Sequence, residues 1–179
     1  MDATLSLLEW RLDDLLPNLE RISVSGQGTL SKYRYNNQVY VIKTQAYPRP
    51  VQRELEFLQT AADISIQVKE HVLRNKNNDD LIGFIMPYLV AIKPSKMTSK
   101  DKINLFRQIG GLIAQLHNRY KIIHGDIKLS NMLLDRSVVK LCDFGTSAWM
   151  SEVIYPTAFS IRWSSPYHLG SDPQINHGR

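Results

Sequence analysis

Residues 124–145 read HGDIKLSNMLLDRSVVKLCDFG, and no other stretch constrains the fold as tightly. Two apolar runs, residues 132–134 and 138–142, flank the polar turn Asp135-Arg136-Ser137. Strand-rich runs around a short turn predict a β-hairpin. In an antiparallel pair the start of one strand lies beside the end of the other. The hairpin is therefore expected to bring Asn131 next to Asp143. An amide oxygen and a carboxylate are hard oxygen ligands of the kind Mg²⁺ takes. Asp126 and Lys128 lie just upstream, on the loop that enters the hairpin. Two metal ligands, a candidate base and a fixed positive charge are parts that phosphoryl transfer needs, because that chemistry rests on positioning and charge neutralisation. The bland alternative is a surface hairpin with incidental polar ends.

The pattern D-x-K-x-x-N (Asp126, Lys128, Asn131), an apolar hairpin and then Asp143-Phe144-Gly145 resembles the catalytic loop and metal motif of eukaryotic-type protein kinases. An isolated Asp-Phe-Gly would carry little; the combination is specific. The resemblance implies an α+β, two-lobe kinase fold: a β-rich N-lobe with one main helix and an incomplete helical C-lobe. On that basis residues 1–18 are an N-terminal helical extension, 19–89 the N-lobe and hinge, and 90–179 a partial C-lobe.

Bulk properties set outer bounds. The chain has 179 residues, enough for one ordinary domain or two small lobes, and 43% of them are hydrophobic, ample for a packed core. The net charge of +5 is scattered rather than blocked, which argues against nucleic acid and suits ATP or acidic substrates. Cys142 is the single cysteine, so no internal disulfide forms, in keeping with a reducing compartment. No apolar run is long enough to span a bilayer, and no signal-peptide pattern opens the chain. These features predict a soluble cytoplasmic or nuclear protein that does not engage membranes.

Leu5, Leu8, Leu12, Leu15 and Leu16 form a helical stripe that Pro17 ends. Residues 21–25, 29–35 and 39–44 then read as strands, with a turn at Asn36-Asn37. Gly26-Gln27-Gly28 joins the first two strands and resembles the kinase Gly-rich loop, in which Gly26 and Gly28 let backbone amides approach phosphates. Ser31 replaces that pattern's third glycine, and Tyr33 its valine. On sequence alone, two glycines in a hairpin are equally a plain turn.

Lys43 closes the apolar strand 39–43 and resembles the family's strand lysine. Residues 51–61 read as a helix, and Glu54 matches the glutamate that pairs with that lysine. Glu56 is the alternative, on another face. Such a pair would hold Lys43 on the α- and β-phosphates. Residues 66–73 and 81–86 read as a further hairpin. By resemblance Met86-Pro87-Tyr88-Leu89 is the hinge, with Met86 as gatekeeper and the Leu89 backbone bonding adenine. Ile103, Phe106, Ile109, Ile113 and Leu116 recur at helical spacing, with Ser99 or Thr98 as cap.

Residues 146–161 resemble the activation segment, and Arg162-Trp163-Ser164-Ser165-Pro166 the motif that closes it, with Tyr167 where the family has glutamate. The chain stops at Arg179, where kinases continue with further helices, so the resemblance implies a kinase cut short after the activation segment. Apolar surface left bare in the C-lobe is then expected to self-associate or to take a covering partner.

The activity implied is transfer of the ATP γ-phosphoryl group to Ser or Thr hydroxyls of a protein substrate. Asp126 accepts the proton, Lys128 neutralises charge, and Asn131 and Asp143 hold Mg²⁺. Gly125 replaces the arginine of the common H-R-D motif, so dependence on activation-segment phosphorylation is not expected. His124 reads as a packing residue, and Cys142 as a small apolar one lining the nucleotide pocket floor. Two other readings stand beside this one. A non-catalytic kinase-like decoy or binding module fits the short chain. A small-molecule kinase acting on aminoglycoside- or choline-like acceptors shares His-Gly-Asp, although Lys128 and the intact Asp-Phe-Gly favour protein substrates.

Overall fold

A computed structural model describes residues 10–25, 28–45, 48–75 and 78–152. Gly26, residues 153–167 and the first half of the N-terminal leucine stripe lie outside the described residues. The chain divides into two units, one of residues 1–62 and 66–88, the other of residues 63–65 and 89–179.

The first unit is built on a six-stranded sheet in the order β1-β5-β6-β4-β3-β2. Its strands are β1 (Trp10–Arg11), β2 (Leu19–Ser25), β3 (Gly28–Tyr35), β4 (Gln38–Thr44), β5 (Glu70–Asn75) and β6 (Asn78–Pro87). Every neighbouring pair is antiparallel except β1 with β5. Asn36 (φ 47°) and Asn37 (φ 60°) both adopt the left-handed conformation that a two-residue hairpin turn demands. They close β3 onto β4, with Tyr35 opposite Gln38. Alternation buries one face of the strands. Leu15, Tyr33, Ile42, Val72, Ile82 and Ile85 form its core, with Leu12, Leu19, Tyr35 and Tyr40 against it. Burial raises the Tyr33 phenol above its ordinary pKa, and Tyr35 adds to the shift.

The leucine stripe predicts a helix to residue 16. In the structure Trp10–Arg11 instead forms β1, and only one turn of helix comes after it, α1 (Leu12–Leu15), then a 3-10 turn at Leu16–Asn18. Pairing with Val72 and Leu73 captures residues 10 and 11. The expected strand 66–73 begins later, at Glu70. Ile64 and Ile66 are buried but sit in loop, their apolarity serving packing rather than a ladder.

Helix α2 (Pro48–Thr60) starts with prolines at 48 and 50, in the first turn, where backbone N–H groups have no helical partner. Its buried residues Val51, Glu54, Leu55, Phe57 and Leu58 share one side of the helix, which packs on β6.

In the second unit, helix α3 (Ser99–Asn118) is capped by Thr98. Asp101 N–H donates to Thr98 Oγ1 at 3.2 Å, and Thr98 N–H donates to Asp101 Oδ2 at 3.2 Å, a reciprocal capping box. The buried face is Leu105, Ile109, Leu112 and Leu116, not the expected stripe. Ile103 and Phe106 are 58% and 66% exposed. Two apolar stripes share Ile109 and Leu116, and periodicity alone does not say which one meets the sheet. The arc chosen faces β8 (Ile122–Ile123) and β10 (Val138–Leu141). β10 pairs with β9 (Met132–Asp135), which pairs with β7 (Val90–Ala91). β8 pairs with β11 (Ala148–Trp149). Gln108 on α3 anchors the hairpin: its Oε1 accepts from Val139 N–H at 3.2 Å and its Nε2 donates to Ser137 O at 3.4 Å.

Residues 63–65 are bound into this unit. Leu141 N–H donates to Ile64 O at 3.0 Å, and Ser65 bridges to Leu141. Asp63 accepts from Tyr120 Oη and from Arg119 at 3.0 Å, while Lys140 Nζ donates to its carbonyl at 2.6 Å. The Tyr120 bond, with Arg119 and Lys140 helping, holds the Asp63 carboxyl below its ordinary range. Among the described residues no helix is long and apolar enough to cross a membrane.

Candidate active site

The β9–β10 hairpin sets the geometry of the polar cluster. Met132 faces Leu141, and Asp135 faces Val138 across a turn in which Arg136 takes a φ of 59°. The ladder continues one step past the strands, where Cys142 N–H donates to Asn131 O at 3.0 Å. Asn131 thus lies opposite Cys142, and Asp143 comes directly after, with a φ of 62° that turns the chain at the strand end.

Asn131 is 6% exposed and sits at the end of a 3-10 turn, Leu129–Asn131. Its Nδ2 donates to Asp126 O at 2.9 Å and to Asp126 Oδ2 at 3.0 Å. With both contacts on the nitrogen, the amide is oriented and its carbonyl oxygen is the end that can serve a cation. Lys128 Nζ also donates to Asp126 Oδ2. Asp126 is therefore held at its carboxylate by two residues and at its carbonyl by one. Its side chain is 10% exposed and that of Lys128 28%, enough to meet an incoming group.

His124 is 1% exposed and packs at 4.7 Å on the Phe144 ring. Its Nδ1 accepts a long 3.4 Å bond from Asp126 N–H, which leaves Nε2 as the protonated nitrogen that donates to Cys142 O at 3.0 Å. Desolvation pushes its pKa below the ordinary histidine value, only partly countered by the Cys142 carbonyl and by Asp143 and Asp126. An enclosed imidazole that ties the Asp126 N–H to the Cys142 carbonyl and packs on the Phe144 ring is a packing and orienting group. Cys142 is half-buried, with both its N–H and its carbonyl engaged.

Sequence reading missed a second layer here. Thr146 Oγ1 and Ser147 Oγ donate to His124 O at 3.2 and 3.0 Å. Gly125 has a φ of 82°, and a Cβ there would meet Thr146 O at 2.4 Å. The only signal for this in the sequence was the glycine between His124 and Asp126.

The first unit carries the other candidates. Lys43, on β4, is an ion-pair partner of Glu54, on α2, with Nζ to Oε1 at 2.8 Å. The side chains are 8% and 1% exposed. Gln45 Nε2 donates to the other Glu54 oxygen at 3.2 Å. Glu56, the alternative partner, is exposed. Gly28 (φ 128°) lies so close to β4 that a Cβ would be 2.2 Å from Thr44 O. Ser31 is buried. Met86, on β6 and 8% exposed, pairs with Val41, and Pro87 lies opposite Tyr40, where its missing N–H is tolerated. Leu89 is half-buried just past the strand.

A family model described as protein kinase domain matches residues 29–176. The chain belongs to the protein kinase domain family. A probable serine/threonine-protein kinase of Dictyostelium discoideum is 34% identical over 91 residues, 43% of this chain and 8% of that protein. The carbon catabolite-derepressing protein kinase of Candida glabrata is 31% identical over 109 residues, 57% of this chain and 17% of that protein. Mitogen-activated protein kinase kinase 7 of Arabidopsis thaliana is 27% identical over 146 residues, 73% of this chain and 47% of that protein. This kinase-family chain thus spans less than half the length of each relative. Its fold is the α+β kinase fold, with a β-rich first unit and a second unit built on one long helix and short hairpins.

The residues fit a magnesium ion. Among the described residues no group of three or more acidic, histidine or cysteine side chains could cage a metal. Mg²⁺ does not need one, since it is held by one or two oxygen ligands, waters and substrate phosphates. The Asn131 oxygen, left open by the two bonds on its nitrogen, and the carboxylate that Asp143 carries are oxygen donors of that kind.

Proposed function

We propose that this kinase domain transfers the γ-phosphoryl group of ATP to a Ser or Thr hydroxyl of a protein substrate. The observation that carries this reading is the fixing of Asp126 by Lys128 and Asn131. A carboxylate held beside a cation can orient a hydroxyl and take its proton while the cation faces the phosphoryl oxygens.

In this mechanism the acceptor oxygen forms a bond to the γ-phosphorus as the bond to the β–γ bridging oxygen breaks. The hydroxyl proton goes to Asp126, and ADP leaves with the bridging oxygen. Lys128 neutralises charge on the moving group. Lys43, kept in place by Glu54, holds the α- and β-phosphates. Gly28, with Gly26, lets backbone amides approach the phosphates. Met86 and the Leu89 backbone receive the adenine. Asn131 and Asp143 would hold Mg²⁺, which would supply charge neutralisation on the phosphate oxygens. Lys128, two residues after Asp126, and the serine/threonine kinases among the relatives support Ser and Thr acceptors.

The test is phosphotransfer from labelled Mg·ATP by the wild type and by Asp126→Asn, with peptide, aminoglycoside and choline acceptors in parallel. Peptide labelling lost in the variant is the expected result. Equal rates in the two proteins remove Asp126 from this role. Labelling of the small acceptors alone replaces the protein substrate, and nucleotide binding without transfer leaves a binding module.

A further inference from the structure

Asp126 is only as well placed as the backbone that carries it. That backbone is held from behind by residues 146 and 147, which take no part in the phosphoryl transfer itself. His124 O accepts two hydroxyl hydrogen bonds, from Thr146 at 3.2 Å and from Ser147 at 3.0 Å. Ser147 is 5% exposed, so its hydroxyl would be costly to bury without that partner. Ser147 N–H donates to Phe144 O at 3.0 Å, which folds the segment after Gly145 into a turn and aims both hydroxyls the same way. The pairing then runs on as Ala148 opposite Ile123 and Trp149 opposite Ile122.

Gly125 makes the close approach feasible. Its φ of 82° is one that side chains disfavour, and any Cβ would lie 2.4 Å from Thr146 O. The obstructing atom is backbone, so it cannot swing aside. A longer residue at 125, arginine included, would have to displace the segment that bears Thr146 and Ser147. On the far side, Asn131 Nδ2 holds Asp126 O at 2.9 Å, and the His124 ring meets Asp126 N–H. The tripeptide 124–126 is thus gripped at both ends.

We propose that Gly125, Thr146 and Ser147 form a positioning lock for Asp126, in which two neutral hydroxyls seize the His124 carbonyl through a gap that only glycine leaves open. The lock rests on the reading of Asp126 as the group that orients the acceptor. It contains no charged member on the 146–147 side, so it works without a phosphate and is insensitive to salt. It assigns a role to a glycine that would otherwise read as a mere loss of arginine.

The test compares Thr146→Val, which keeps the shape and removes the hydroxyl, with Thr146→Ser, which keeps the hydroxyl, and adds the Thr146→Val/Ser147→Ala double variant. Amide hydrogen exchange over residues 122–127 and steady-state kinetics are read on each. Losing one such bond at about 1 kcal/mol predicts exchange faster by roughly fivefold and kcat lower by a similar factor, with KM for ATP unchanged. Thr146→Ser should recover both relative to valine, and the double variant should go further in the same direction. Exchange and kcat that match wild type in Thr146→Val and in the double variant would overturn the lock. So would an effect that falls on KM for ATP alone. Should the double variant not fold, the Val and Ser pair decides. If wild type shows no phosphotransfer, the proposed function fails, and the exchange comparison by itself judges the lock.

Discussion

Replacing Lys43 by methionine removes one member of the buried Lys43–Glu54 pair while keeping most of the side-chain volume. The Glu54 side chain is 1% exposed, so its carboxylate would be left in the interior with the Gln45 amide at 3.2 Å in place of a cation. Breaking a buried pair from one side costs about 3–5 kcal/mol, because the stranded charge keeps its desolvation penalty. The retained Gln45 bond favours the lower end, about 3 kcal/mol. For a chain of this size each kcal/mol moves Tm by roughly 2–4 °C, so a fall of roughly 6–12 °C is expected. Replacing both residues by apolar ones, Lys43→Met with Glu54→Leu, removes the stranded charge and should recover most of that loss, a coupling of at least about 2 kcal/mol. Urea denaturation of wild type, both single variants and the double variant measures it. A Lys43→Met cost under about 1 kcal/mol, with additive single effects, would refute the reasoning, since it would mean that water already solvates the carboxylate.

Thr98→Ala should cost about 1 kcal/mol through loss of the capping box, read by urea denaturation. Ile103→Lys and Phe106→Lys should each change stability by less than about 0.5 kcal/mol, because both side chains are on the open arc of α3. A large loss would restore the stripe expected from periodicity. The depressed pKa of His124 makes the folded state prefer the neutral ring. Its stabilising contribution is therefore complete above the unfolded value near 6.5 and declines as pH falls below it, by at most about 1.4 kcal/mol per pH unit. Thermal melts from pH 8 to pH 5 should show that decline, and His124→Asn should flatten it. Phosphatase treatment should leave turnover unchanged, as expected for a loop held by hydroxyls; abolished activity would contradict it.

Local chemistry explains what could be read in advance. The hairpin 132–141 was legible because its strands, its turn and its polar ends lie within one short stretch. Lys43 and Glu54 were legible as a pair through the resemblance to the family's strand lysine and helix glutamate, while the choice of Glu54 over Glu56 rests on which face of the helix is buried. The buried arc of α3 was not, since Leu105, Phe106, Ile109, Leu112 and Ile113 share one apolar arc about 120° wide at 100° per residue, and only the neighbouring strands choose which side of it is covered. β1 was hidden for a different reason: two residues have no period, and their partners Val72 and Leu73 are far along the chain. The same separation concealed Gly125, whose close neighbour is Thr146, and Asp63, whose carboxylate answers to Arg119 and Tyr120.

Residues 63–65 have a consequence for how such a gene can be cut. Because they belong with residues 89 onward while 62 and 66 do not, the polypeptide passes from one unit to the other at 62/63, at 65/66 and at 88/89. A polypeptide starting at residue 89 would lack the carbonyl that Leu141 N–H uses and the carboxylate that Arg119 and Tyr120 hold. Recombination with a relative at that one junction would graft a foreign tripeptide onto those contacts. Shuffling or split-protein designs must therefore carry positions 63, 64 and 65 with the C-terminal half, or supply them in trans.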